Sequence, residues 1–220
     1  MKLFTQEGES HIAFTPVEAY PLFIDPEDAN PTLPTITISL ETAGQVIKKA
    51  VDLRLSPLDA KFLRTRNSIV DPKTMALQEA PEMRTRFSDQ ELKFLEVYAF
   101  EKEYREKSIS MVEQKRALAE ASLDGVRTVL LVTEAFRMES VFASSSSAST
   151  YAALLQEAKA TLTESQQERH ALEETGFAII AIKQAAGLLP KEINPDDPGD
   201  FSPDDYLRIT HVQNRLWNRS

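Results

Sequence analysis

The sequence predicts a mainly α protein of the α+β kind, with long antiparallel helices forming a helical bundle or hairpin and a small N-terminal β element. Three observations carry that expectation. From Ser88 to Ser122 the chain contains no Pro or Gly and is dominated by Ala, Leu, Glu, Lys and Arg, the residues that lose least on entering a helix. A second long helical pattern runs from Tyr151 to about Gly187. In contrast to both, Thr35-Ile-Thr-Ile-Ser-Leu40 and Val51-Asp-Leu-Arg-Leu55 alternate strictly, the period of a strand with one buried face.

Taken in order, Met1–Phe4 and His11–Phe14 read as short strands, Val17–Ile24 is too mixed to assign, and Asp25–Pro34 is a loop. Three prolines in that loop remove N–H donors and bias the residues before them away from helix. The two alternating runs predict a hairpin: Ile36, Ile38 and Leu40 share one face, Thr42–Gly44 supply the turn, and Gln45–Ala50 extend the second strand toward Val51, Leu53 and Leu55. A helix beginning at Ala43 is the alternative. Ser56-Pro57-Leu58-Asp59 is a helix start, with a capping serine, proline in the first turn and a carboxylate where the dipole favours negative charge. That helix is expected to end near Arg66. Asn67–Thr85, marked by Pro72 and Pro81, reads as a linker with one helical turn at Thr74–Glu79.

Ser88 and Glu91 form a capping box that opens the long helix. A helix from Ser88 to Ser122 would be ~50 Å long at 1.5 Å per residue. Apolar residues recur at Ile109, Val112, Ala119, Leu123, Val126 and Leu130, with Arg116 and Thr133 at the remaining 3-and-4 positions. This is a seam on which another helix can pack, from a partner or from the chain's own core. Glu101–Lys107 is almost wholly charged and predicts a solvated bridge between packed ends. Asp124-Gly125 is a candidate break. Ala143–Thr150, rich in serine, reads as a turn or flexible link.

In the second pattern Tyr151, Leu154, Leu155, Ala158 and Leu162 form one apolar face, and Phe177, Ile179, Ile180 and Ile182 a broader one. Gly187 and then Pro190 end it. Two helices, each apolar at both ends and polar between, suit antiparallel pairing. Pro190–Pro203 is an acidic loop, and Asp204–Asn218 a last helix with Tyr206, Ile209 and Leu216 on one face. The expected organisation is therefore an N-terminal β-containing module with a short helix (1–66), a linker (67–87), a long-helix body (88–189), and an acidic loop with a C-terminal helix (190–220).

The 220 residues carry 34 acidic and 25 basic side chains, a net charge of −9, which disfavours nucleic acid as a partner because phosphate neutralisation needs a cationic surface. The longest apolar runs, Val129–Val132 and Phe177–Ile182, fall far short of the ~20 residues that span a bilayer. The N-terminal residues lack the apolar core of a signal peptide, and with no cysteine the chain suits a reducing compartment. Cytoplasmic residence is expected, with incorporation into a virion as a further expectation.

Four residues of the acidic loop fall on calcium-loop spacing: Asn194, Asp196, Asp200 and Asp205 at positions 1, 3, 7 and 12, with Gly199 at position 6. Pro198 stands where an oxygen ligand belongs, and position 12 is Asp rather than Glu, so turn formation and helix capping are the expected roles of these residues. His11, His170 and His211 lie on separate elements and form no His-x-x-x-His pair. No glycine-rich phosphate loop or nucleophile elbow occurs. Arg208, His211, Arg215 and Arg219 recur at helical spacing with Trp217 beside them, a stripe suited to docking an acidic surface or to complementing a helix C-terminus.

The functional expectation is a non-enzymatic structural, assembly or adaptor protein. It would need no cofactor or small-molecule substrate, and would pack through long helices on itself, as a homo-oligomer, or on another structural protein. A phage or virus virion component is the specific analogy. The alternative is an acidic regulatory protein that occupies a basic site on an enzyme or nucleic-acid-binding partner. A metal-dependent hydrolase built on the acidic loop ranks third.

Overall fold

The computed structural model describes residues 1–17, 34–135, 145–196 and 199–217, so Pro198, Arg219 and all but the last residue of the loop Asp25–Pro34 lie outside it. The chain is mainly α, with a small three-stranded sheet near its N-terminus. It divides into two compact units, Met1–Tyr104 with Glu174–Ser220, and Arg105–Glu173. This grouping cuts inside the long helices rather than at the linker expected over 67–87.

In the first unit, β1 (Lys2–Gln6), β2 (Glu9–Phe14) and β3 (Ile36–Ser39) form an antiparallel sheet in that order. Glu7 and Gly8 join β1 to β2 with positive φ at both positions, 51° and 86°, as the two-residue hairpin turn matching strand twist requires. Leu3 lies opposite Ile12, and Ile12 opposite Ile38, putting three buried aliphatic side chains on one face.

The alternating run at Thr35–Leu40 therefore finds its strand partner upstream, and the expected hairpin with Val51–Leu55 does not form. The chain turns into helix α1 (Leu40–Asp52) instead. Ser39 caps it, its Oγ accepting the Thr42 N–H at 3.1 Å. Leu40, Ala43, Gly44, Val46, Ile47 and Ala50 are buried at helical spacing, while Val51, expected on an inward strand face, is 51 % exposed.

Helix α2 (Pro57–Arg66) starts and ends where the sequence predicts. Asp59 does more than complement its dipole. It is buried, and its two carboxylate oxygens accept the Ser56 N–H at 2.7 Å and the Val70 N–H at 2.6 Å, tying the helix start to the next strand. The expected linker carries a small hairpin, β4 (Ser68–Val70) paired with β5 (Leu77–Glu79), and the helical turn expected at Thr74–Glu79 is absent. Strands of three residues are too short to show alternation. Asp71 holds the turn between them, its carboxylate accepting Lys73 N–H and Gln78 Nε2, each at 2.8 Å. The Lys73 N–H is the main reason this carboxyl sits below its ordinary range. Its contribution to stability is thus present at neutral pH and is lost as pH falls through the lowered value.

After the single turn α3 (Pro81–Arg84) comes α4 (Asp89–Ala135), opened by the predicted capping box: Ser88 N–H donates to Glu91 Oε2 at 2.6 Å and Glu91 N–H to Ser88 Oγ at 3.1 Å. The helix does not break at Asp124-Gly125. A Cβ on Gly125 would meet no atom within 4 Å. Gly125→Ala is accordingly expected to raise stability by about 0.5–1 kcal/mol, the helix-propensity difference, read as a higher denaturant midpoint. Helix α5 (Ser145–Ala185) begins inside the serine-rich stretch expected to be a turn or link.

The end of α5 in the first unit is buried nearly all round: Ala178, Ile179, Ile180, Ala181 and Ile182 are each covered. All but Ile179 share a core with the sheet, α1, the start of α4 (Leu92, Phe94, Val97) and Ile209 and Val212 of α6 (Pro203–Val212). Phe14 meets Phe94 edge-on at 5.6 Å. One π-helical turn, Gln213–Trp217, follows α6 where a plain helix was expected to run on.

Candidate interaction surfaces

The second unit is an antiparallel pairing of α4 and α5. Arg105 Nε donates to the Leu172 carbonyl at 3.0 Å, and Lys115 Nζ lies 3.4 Å from Glu164 and 3.5 Å from Glu168. Partial desolvation pushes the Lys115 amine down, but the hydrogen bond to Glu164 and the charges of both glutamates outweigh it, leaving a net upward shift. That ion pair therefore persists up to alkaline pH and is lost only as pH rises through the raised value.

The predicted seam lies in this pairing. Val112, Ala119 and Leu123 are buried, and Ile109 and Val126 are half-buried. On α5, Leu155, Ala158, Leu162, Ser165, Arg169 and Leu172 are buried or half-buried at alternating steps of three and four, the spacing of a coiled-coil stripe. The helix that covers the seam is thus the chain's own α5, and a partner protein would have to separate the pair to reach it. The side chain of Leu130 lies outside the described residues. Sequence reading caught the α4 half of this stripe. It caught Leu155, Ala158 and Leu162 of the α5 half and missed its continuation to Leu172, because Ser165 and Arg169 interrupt the apolar pattern.

The opposite face of α4 is exposed. Ser110, Met111, Gln114, Ala117, Leu118 and Ala121 stand there at 3-and-4 spacing without a charge among them, and Met111 and Leu118 are 69 % and 71 % exposed. A solvent-facing helix surface is normally charged, and this stripe instead carries no charge and two large exposed apolar side chains.

The C-terminal stripe is largely occupied from within. Arg208 faces Asp204 and Asp205 of its own first turn, each at 3.7 Å, and His211 stacks on Phe177 at 4.4 Å. Trp217 Nε1 donates to the buried Gln184 at 2.9 Å while Lys191 lies 4.1 Å over its ring, so this tryptophan fastens the C-terminal turn to α5 and is not an open contact. Arg215 is exposed, and Arg219 lies outside the described residues.

In the acidic loop, Asn194 Oδ1 accepts the Asp196 N–H at 3.0 Å, a turn contact, and the Asp205 N–H donates to the capping Ser202 at 3.1 Å. Asp200 is exposed. Among the described residues, no three acidic or histidine side chains converge to hold a metal ion.

Two open clefts flank α1, neither anticipated from the sequence. One, of about 490 Å³, is lined by Thr37, Ile38, Ser39, Thr42, Ser88, Gln90 and Glu91. Its hydroxyls serve caps: Ser39 and Thr42 are 2.7 Å apart, Ser88 and Glu91 close the capping box, and Gln90 Nε2 donates to the Thr37 carbonyl at 3.0 Å. No histidine stands among these lining residues to act as a base. The other, of about 350 Å³, carries Lys48, Lys49 and Arg86 beside Asp52, with Lys49 3.5 Å from Glu91 and over the Phe87 ring.

Comparison with known proteins gives no match, whether to family models, to curated proteins or to solved structures.

Proposed function

We propose that this protein is a non-enzymatic assembly or adaptor protein whose docking element is the helical hairpin of α4 and α5. The observation that carries the reading is the uncharged outer stripe of α4, with Met111 and Leu118 exposed in the middle of a helix whose other face is already packed. The hydroxyl and carboxylate groups of the larger cleft, spent on helix caps, favour the same reading over catalysis. The setting we favour is a structural component of a larger particle, such as a phage or virus virion, on the analogy of composition and long helices.

The experiment is absolute mass by light scattering across a concentration series and at low and high salt, alone and with proteins of the same assembly. A discrete complex that survives high salt is expected, because burial of an apolar stripe is not screened. The acidic-regulator alternative requires the opposite, steep loss of the partner as salt rises. A chain of 24.7 kDa at every concentration that binds no neighbour would overturn the assembly reading.

A further inference from the structure

We infer that the outer face of α4 binds a second copy of this chain, antiparallel and about a two-fold axis; the inference rests on the assembly reading and names its partner. The stripe is complementary to itself. With the axis passing between Gln114 and Ala117, Met111 of one copy falls in the neighbourhood of Leu118 and Ala121 of the other, large side chains against a large and a small one. Lys107, at one end of the stripe, falls beside Asp124 at the other end, so opposite charges meet at both rims and none at the centre. Asp124 is ion-paired with Arg127 on the same helix at 3.5 Å, but its side chain is 76 % accessible, and an exposed pair of this kind is weak enough for a partner's cation to share the carboxylate. A parallel pairing would instead set Lys107 on Lys107 and Asp124 on Asp124, like charges that repel. A two-fold interface of this kind puts the same patch on both subunits, which closes the assembly at two chains. Small residues at Ser110, Ala117 and Ala121 let the helices approach closely around the two large ones.

The full chain has no cysteine, so single cysteines introduced on the stripe are unambiguous probes. Gln114→Cys, next to the axis, is expected to give a disulfide-linked dimer on mild oxidation. Lys107→Cys or Asp124→Cys alone is expected to give none, because each residue lies roughly 25 Å from its own copy at 1.5 Å per residue, far beyond the ~7 Å Cα separation a disulfide tolerates. An equimolar mixture of the two is expected to cross-link. In parallel, the Met111→Glu/Leu118→Glu variant should fall from twice 24.7 kDa to 24.7 kDa with its helical circular dichroism unchanged, since both side chains are exposed.

A wild-type oligomer that survives Met111→Glu/Leu118→Glu, together with a Gln114→Cys variant that gives no cross-link, would overturn this face while leaving the assembly reading intact. Cross-linking of Lys107→Cys to itself would overturn the antiparallel arrangement. A wild-type chain of 24.7 kDa throughout would overturn self-association, and the assembly reading would then rest on a different partner.

Discussion

Gly44→Ala is expected to destabilise the first unit by about 3 kcal/mol, the upper end of the usual cost of overpacking. A Cβ at this position of α1 would lie 2.6 Å from the carbonyl carbon of Ala185, 2.7 Å from its Cβ and 2.8 Å from the amide nitrogen of Ala186. Two of those three atoms are backbone of a helix end buried on nearly every side, so no side-chain rotation relieves the contact. Ala185→Gly should therefore fail to rescue the variant. Gly125→Ala is the internal control. Both glycines are helical and both gain about 1 kcal/mol of propensity on becoming alanine, yet only Gly44 has a neighbour to collide with. Chemical denaturation of the two variants should give shifts of opposite sign. Stabilisation by Gly44→Ala would mean that α1 does not approach the end of α5 so closely.

Glu96→Ala is expected to cost about 3 kcal/mol or somewhat more, the usual result of removing one partner from a buried ion pair. Glu96, on α4, is 9 % exposed and receives both prongs of Arg64, on α2: Nε at 2.6 Å and Nη2 at 3.2 Å. Its loss takes both of these charge-assisted bonds from a guanidinium whose side chain is only 16 % exposed, where water is a poor substitute. Replacing the pair together, Arg64→Met with Glu96→Leu, should restore most of the stability, because two apolar side chains carry no desolvation penalty. A double-mutant cycle read by denaturant midpoints measures this directly. Near-additive losses in the two single variants would show that the pair contributes nothing as a pair.

The candidate docking face was legible only by halves. The seam from Ile109 to Val126 was visible as a 3-and-4 apolar stripe, but a stripe does not say whose helix covers it. Met111 and Leu118 were equally visible letters, seven residues apart, and carried no signal until Val112, Ala119 and Leu123 were seen to be buried within the chain. Once the seam was occupied from within, the large apolar residues on the other face became the ones without a covering neighbour among the described residues. The C-terminal stripe shows the reverse case. Its helical spacing is real, but Arg208 is engaged by Asp204 and Asp205 at the i,i+4 and i,i+3 positions of its own helix, and His211 and Trp217 by Phe177 and Gln184, long-range contacts that no spacing rule contains.

What the sequence determined by itself is local: the capping box at Ser88 and Glu91, the start of α2 at Ser56-Pro57, the strands around Leu3 and Ile12, and two long helices. Each of these follows from propensity, capping and periodicity acting over a few residues. Only the tertiary structure decided the rest. Ile36-Thr-Ile-Ser39 pairs with β2, because that register buries Ile38 beside Ile12, and Leu40–Asp52 then coils because a helix, unlike a strand, puts Leu40, Ala43, Val46, Ile47 and Ala50 all into the same core. Gly44 reads as a turn residue in the sequence and is in fact a point of contact between two helices. Propensity is worth tenths of a kcal/mol per residue, whereas burying a large aliphatic side chain is worth about 1.5–3 kcal/mol, so where the two disagree, packing prevails.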